Sequence, residues 1–272
     1  EAPAGAEQGA QIVDAQGRLV TPGLIDAHTH LVFGGWRQHE IPLKLAGAGY
    51  LDILRMGGGI LSTVKHTREE TEDQLYAKSL GFVHEMLAMG VTACEMKSGY
   101  GLNTETELKQ LRVIRRLAES SPMDVASTFL GAHAVPEEYK DDADGYVDQM
   151  IRETLPAVAE QKLAQYCDVF CETGVFDVEQ SRRVLEAGKA LGLKPRIHAD
   201  EIDAIGGAQL AGQVGAVSAE HLIAADEDGM AALAKGGVIA DLLPATSFYL
   251  DKTFAPARRM VELGIPVVIA SD

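Results

Sequence analysis

Leu24-Ile25-Asp26-Ala27-His28-Thr29-His30 reads as a short apolar strand that finishes on two histidines, one residue apart. Side chains two positions apart on an extended strand point to the same side, so both imidazoles face one place. A dinucleotide-binding fold would follow its first strand with a G-x-G-x-x-G turn, and here the strand ends in His-Thr-His.

Outward from this stretch, short apolar runs alternate with longer amphipathic ones. Strands are predicted over 24–30, 91–98, 125–133, 168–173, 194–199, 216–221, 237–243 and 266–272. Several are near-continuous apolar runs, the pattern of parallel strands covered on both faces. Between them, 70–88 places Tyr76, Leu80, Val83 and Leu87 on one helical face. Thr104 and Glu107 have capping-box spacing at the start of another helix. Val184, Leu185, Gly188 and Leu191 carry the same periodicity up to Gly192, and Asp226-Glu227-Asp228 places acids at a helix start. Strands alternating with helices predict an α/β protein with a parallel sheet, and the count of strands favours a (β/α)8 TIM-like barrel over a doubly wound sheet. The barrel is assigned to 24–272. Residues 1–23, with hairpin-like stretches 11–14 and 18–20 around Gly17, are assigned to a remnant of a small β-sandwich domain.

The chain has 272 residues, 46% hydrophobic and 24% charged, which suits one barrel of roughly 250 residues. A formal charge of −16 argues against a nucleic-acid partner, since phosphate binding needs a basic face. No run approaches the ~20 apolar residues of a membrane helix, and no basic-then-apolar leader opens the chain. Cys94, Cys167 and Cys171 form neither a disulfide framework nor a zinc knuckle, and a reducing cytoplasm is expected. Cys167 and Cys171 share one strand face and read as core. The chain starts without Met and stops at Asp272 directly after an apolar run, so both edges are expected to be truncations. Weak metal retention and poor solubility are expected of such a piece alone.

Catalytic groups of such barrels lie at the C-terminal ends of strands. Those ends read His28 and His30, Lys97-Ser98, His133, Glu172, His198, His221, Leu243 and Asp272. Strands one and eight are neighbours in a closed barrel, which brings Asp272 beside His28 and His30, while His198 reaches across from strand five. Imidazole suits zinc or iron, so one divalent metal is expected, zinc ahead of iron. Such an ion lowers the pKa of a coordinated water towards about 7. Asp272 would act as general base and acid, His221 would steady the oxyanion, and Glu201 would bond a substrate N–H from the loop above. Strand four offers no lysine at its end for a carbamate bridging two ions, and Lys97 sits on the wrong strand, so a single ion is expected. Gly57–Gly59 is no phosphate loop, lacking a following G-K-[ST], and is expected to admit close backbone approach or hinge a lid.

These residues resemble the amidohydrolase superfamily: Pro22-Gly23-Leu24-Ile25-Asp26-Ala27-His28-Thr29-His30 entering strand one, His198 after strand five, His221 after strand six and Ser271-Asp272 after strand eight. Phe33-Gly34-Gly35-Trp36-Arg37, Gly57 to Val64, Lys97-Ser98-Gly99-Tyr100-Gly101-Leu102 and Thr128 to His133 look like the imidazolonepropionase family. The resemblance implies water-driven opening of the lactam of 4-imidazolone-5-propanoate to N-formimidoyl-L-glutamate. It implies His28, His30, His198 and Asp272 as metal ligands, Arg37, Tyr100, His133 and Glu201 as substrate contacts, and His221 as the catalytic histidine. A guanidinium fork suits the substrate's carboxylate. The expected partner is therefore a small acid, with no nucleic acid and no membrane; a homodimer remains an option at full length. Two alternatives stand beside this reading: a ring or nucleobase deaminase of the same superfamily, for which Arg37 and Tyr100 make little sense, and an inactive metal-binding barrel.

Overall fold

A computed structural model describes residues 9, 11, 13–47, 58–250 and 253–272. Eight strands follow in order: β1 (Leu24–Asp26), β2 (Val91–Lys97), β3 (Asp124–Ala132), β4 (Tyr166–Cys171), β5 (Lys194–Ala199), β6 (Ser218–His221), β7 (Ile239–Leu242) and β8 (Val267–Ile269). Each pairs in parallel with the next, so the sheet order is the chain order. Helices fill the connections, among them Glu72–Ala88, Thr104–Ser120, Val178–Ala190, Gly207–Val214 and Glu227–Gly236. The result is the α/β, TIM-like barrel that the alternation predicts.

The seam between β8 and β1 closes beyond the strand ends. The N–H and Oγ–H of Ser271 donate to the two oxygens of Asp26, at 3.0 and 2.5 Å, and the Asp272 N–H donates to the His28 carbonyl at 3.0 Å. The outer strands are correspondingly shorter than the predicted 24–30 and 266–272. Past Asp26 the ladder gives way to bonds made by Thr29, whose Oγ1 donates to the Glu95 carbonyl at 2.6 Å. His28 and His30 therefore follow β1, and Asp272 follows β8. Residues 13–23 contain a turn closed by Arg18 N–H to Ala15 O at 2.9 Å, and no strand among the described residues.

Two helix readings need correcting. The stretch 70–88 starts its helix at Glu72, because Thr71 and Gln74 cap each other, and the buried face is Leu75, Ser79, Val83 and Met86. Tyr76, Leu80 and Leu87 flank it half-buried. The capping box at Thr104 and Glu107 does not form. Asn103 caps that helix by accepting from Thr106 N–H. Glu107 instead turns into the preceding loop, accepting from the N–H groups of Gly99, Gly101 and Leu102 at 3.0, 2.8 and 2.8 Å. That loop turns sharply at Gly99 (φ +115°) and Leu102 (φ 51°), which aims its amides at one buried point and creates the need for an acceptor.

The strands show two different faces. Outward, Cys94, Met96, Cys167, Val169, Cys171, Ile197, Ala199, Ala219 and Ala240 pack under Leu111, Ile114, Val184, Leu185, Leu210 and Leu233 of the helices, forming the apolar core. Inward, the barrel is not the apolar interior that near-continuous runs implied. Lys97 donates to Glu95 Oε1 at 2.9 Å and to Asp168 Oδ2 at 2.8 Å. Arg196 donates to Glu220 Oε1 at 2.9 Å, to Asp241 Oδ2 at 3.3 Å and to the Ala27 carbonyl at 2.8 Å. All six charged side chains are buried. Period-two alternation produces this division: Glu95 and Lys97, and Arg196 and His198, occupy alternate positions that face inward.

Removing the Glu107 carboxylate strands three buried amides, so Glu107→Ala is expected to cost on the order of 3 kcal/mol in urea unfolding; a loss below about 1 kcal/mol would show the loop amides find other acceptors. Arg196→Met leaves Glu220 and Asp241 uncompensated inside the barrel and is expected to cost about 3–5 kcal/mol. A variant as stable as the parent would overturn that account of the interior.

Candidate metal centre

Extended backbone after β1 carries His28 and His30 to the mouth of the barrel. Their Nε2 atoms lie 3.2 Å apart, and Asp272 Oδ1 lies 3.3 Å from the first and 3.4 Å from the second. His198, inward-facing on β5, brings its ring to 4.6 Å from that of His28 and 5.6 Å from that of His30. The four side chains expected from strands one, five and eight thus converge at one end of the barrel. Ligand atoms of His28, His30 and Asp272 lie within 4.8 Å of one another, as do those of His28, His198 and His221 and those of His30, His133 and His198.

The electrostatics suit a cation. Burial, with Lys97 next, holds His28 well below the usual histidine range, and burial with His133 does the same for His30. Both are therefore neutral at pH 7, so each ring keeps one nitrogen lone pair. Burial also pushes His198 down, but Asp168 beside it more than offsets this and its pKa is raised. Its Nε2 is buried with no hydrogen-bond partner. Such a costly orphaned nitrogen, beside two neutral imidazoles and a carboxylate, fits a divalent ion.

His221 ends β6 in the left-handed region (φ 69°), which turns its ring to within 5.2 Å of His198 and 5.5 Å of His28. Burial lowers its pKa. Glu201 Oε2 lies 3.6 Å from His221 Nε2, so the loop after β5 does reach over the site. His133 stacks on His30 at 5.0 Å with an interplanar angle of 19°. Its Nδ1 lies 3.0 Å from the Gly99 carbonyl, and burial, with His198 next, pushes its pKa down to about 3. A neutral ring facing a carbonyl must carry its hydrogen on Nδ1, which leaves Nε2 as an acceptor. The Tyr100 ring stands 5.7 Å from His30 and 5.2 Å from His133.

Arg37 is exposed, and among the described residues no hydrogen bond or ion pair joins its guanidinium to a histidine. Its loop is nonetheless tied to the site through aromatic rings: Tyr100 lies 6.4 Å from Phe33, and Phe33 5.7 Å from Trp36. Lys78 Nζ sits 3.8 Å above Phe33 and 4.4 Å above Trp36. Close packing beneath this loop demands its glycines. A Cβ on Gly34 would fall 2.4 Å from the His66 backbone, and Gly35 has φ +65°. Of the Gly57–Gly59 run, Gly57 lies outside the described residues; Gly59 donates its N–H to Glu40 Oε1 at 2.7 Å and opens the helix Ile60–Glu69.

Sequence reasoning missed several neighbours. Thr246, after β7, donates to Asp272 Oδ2 at 2.5 Å. Asp168 lies 3.0 Å from His198 Nδ1, a short but bent contact. Glu220 and Asp241 lie within 4.8 Å of His28; burial, with Glu220 next, lifts Asp241 to about 7. For the three carboxylates a signal was present, charged residues within strands, which apolar-run counting passes over; Thr246 offered none.

A sequence model of the amidohydrolase family matches residues 11–47. The chain is 57% identical over 262 residues to the imidazolonepropionase of Alkaliphilus metalliredigens (strain QYMF), covering 96% of this chain and 62% of that protein. It is 53% identical over 263 residues to the imidazolonepropionase of Geobacillus kaustophilus (strain HTA426), covering 97% and 62%. The chain thus spans 62% of the length of these relatives. Among solved structures, 5-methylcytosine deaminase from Klebsiella pneumoniae, liganded with 5-fluorocytosine, superimposes with a TM-score of 0.71 at 16% identity, covering 98% of this chain and 68% of that one, a likeness of fold. More than half of the aligned residues are identical to the first two, so over nearly its whole length the chain is similar to imidazolonepropionases, across 62% of theirs.

Proposed function

We propose that the protein catalyses metal-dependent hydrolysis of the cyclic amide of 4-imidazolone-5-propanoate, giving N-formimidoyl-L-glutamate in histidine degradation. One observation carries this reading: Asp272 Oδ1 approaches both His28 Nε2 and His30 Nε2, beside a buried His198 Nε2 that has no partner. His28, His30, His198 and Asp272 would hold one divalent ion, zinc ahead of iron by its preference for imidazole nitrogen in a four-ligand set. When bound, such an ion acidifies a coordinated water and polarises a carbonyl oxygen.

The chain's own groups handle the protons and the substrate. Thr246 engages Asp272 Oδ2, which leaves Oδ1 to take a proton from the attacking water. The same atom returns it to the ring nitrogen as the amide C–N bond breaks. His221, neutral and buried, faces the developing negative oxygen and steadies it by hydrogen bonding. Glu201, 3.6 Å from His221, would bond a ring N–H. His133 accepts a second ring N–H through Nε2. Arg37 and Tyr100 receive the propionate, the guanidinium as a two-pronged donor and the phenol as a neutral one. Water adds across one C–N bond, so a new carboxylate and an amidine nitrogen appear with no redox change.

Elemental analysis of the full-length protein is expected to give one equivalent of zinc or iron per chain, and His198→Ala to drop this several-fold together with release of formimidoylglutamate. A parent protein that is fully active after exhaustive metal removal would sink the proposal. Arg37→Ala is expected to raise KM for the imidazolone acid about tenfold or more with a smaller change in kcat, the cost of losing a charged pair. An unchanged KM would remove Arg37 from the substrate contacts and favour a neutral ring as substrate.

A further inference from the structure

We infer that Lys97 is a positioning residue, a single buried ammonium that holds the histidine pair after β1 and the β5 histidine in register for one ion. The inference rests on the metal set proposed above. Lys97 is fully buried, among the largest such side chains of the described residues. On one side its Nζ donates to Glu95 Oε1 at 2.9 Å, and Glu95 Oε2 lies 3.3 Å from the N–H of Thr29, the residue between His28 and His30. The Lys97 backbone N–H also donates to the Thr29 carbonyl, at 3.1 Å. On the other side Nζ donates to Asp168 Oδ2 at 2.8 Å, and that same oxygen lies 3.0 Å from His198 Nδ1. One continuous chain of contacts therefore runs Thr29, Glu95, Lys97, Asp168, His198, crossing β2 and β4.

Each link has a consequence at the far ring. Neither ring nitrogen of His198 has a hydrogen bond, but only Nδ1 faces a carboxylate, Asp168, at 3.0 Å; that charge favours a hydrogen on Nδ1 and leaves the lone pair on Nε2. Glu95 fixes the peptide between His28 and His30, and with it the direction in which both rings point. Asp168 can serve His198 only while its own charge is balanced, and Lys97 is the cation in contact with it. A carbamate on Lys97 would place a third negative charge against Glu95 and Asp168. The lysine therefore acts as a cation, not as a bridge between two ions. Replacing a buried ion pair with apolar groups is often neutral or favourable for stability.

The test measures the dissociation constant for zinc by chelator competition in the full-length protein and its variants. Lys97→Met is expected to weaken zinc binding about ten- to hundredfold, the usual effect of removing a group that orients a ligand. Leu233→Ala, a core truncation in the helix Glu227–Gly236, supplies a matched loss of stability and is expected to leave zinc affinity within about twofold. Asp168→Asn, alone and combined with Lys97→Met, closes a double-mutant cycle; coupling through one chain makes the combined loss much smaller than the product of the single losses. Folded Lys97→Met with unchanged zinc affinity, a loss no greater than that of Leu233→Ala, or independent effects in the cycle would each overturn the inference. Should Lys97→Met not fold, Asp168→Asn alone decides by the same affinity criterion, and failure of both to fold with zinc present would overturn it by showing a purely structural strut. A parent protein that binds no divalent ion would instead sink the metal set itself, before any variant is compared.

Discussion

Charge buried inside a closed sheet must be matched at short range, and that requirement governs the geometry of this barrel. Each ion taken from water costs several kcal/mol even after relaxation. Lys97 and Arg196 meet that cost between them, each bridging two carboxylates on different strands. Arg196 also grips the Ala27 carbonyl, one residue before His28. The surface pairs, such as Arg259 with Glu227 or Arg116 with Asp73, resemble these on paper, yet solvent leaves them small contributors. What sets the strands in register around the mouth is the pairing within, reinforced by the apolar helices without.

Backbone strain collects where that interior meets the candidate site. His221, Leu222, Asp200 and Asp272 all have positive φ, at 69°, 56°, 51° and 78°. Conformations of this kind cost of order 1–3 kcal/mol and persist where the surroundings over-determine them. Here the restraints are visible. Asp200 accepts from Gly207 and Ala208 N–H at 3.0 Å each, and Asp272 is held by its own N–H and by Thr246. The strain lets His221 leave its strand facing the other histidines rather than the helices.

Much of this was legible from residues alone. Strand β5 occupies 194–199 as predicted, and the histidines and Asp272 meet because strands one and eight of a closed barrel are neighbours. The interior was not legible by the same route, because Lys97 and Asp168, or Arg196 and Asp241, are joined only by closure, across 71 and 45 positions of chain. Local spacing also misled at Glu107, where capping-box spacing is genuine but a loop of inward-turned amides competes for the carboxylate and wins. Thr246 carries no local sign of its bond to Asp272, since a hydroxyl at a strand-to-helix junction has many ordinary uses.

The chain has one tryptophan, and it stands at the rim: Trp36 precedes Arg37, leans on Phe33 and Phe82, and is half exposed. Indole emission from this chain therefore has a single origin, at the edge of the mouth and beside a lysine ammonium. An acidic molecule settling against the guanidinium next door would alter the local field and the water around that one fluorophore, which would then report arrivals at the entrance.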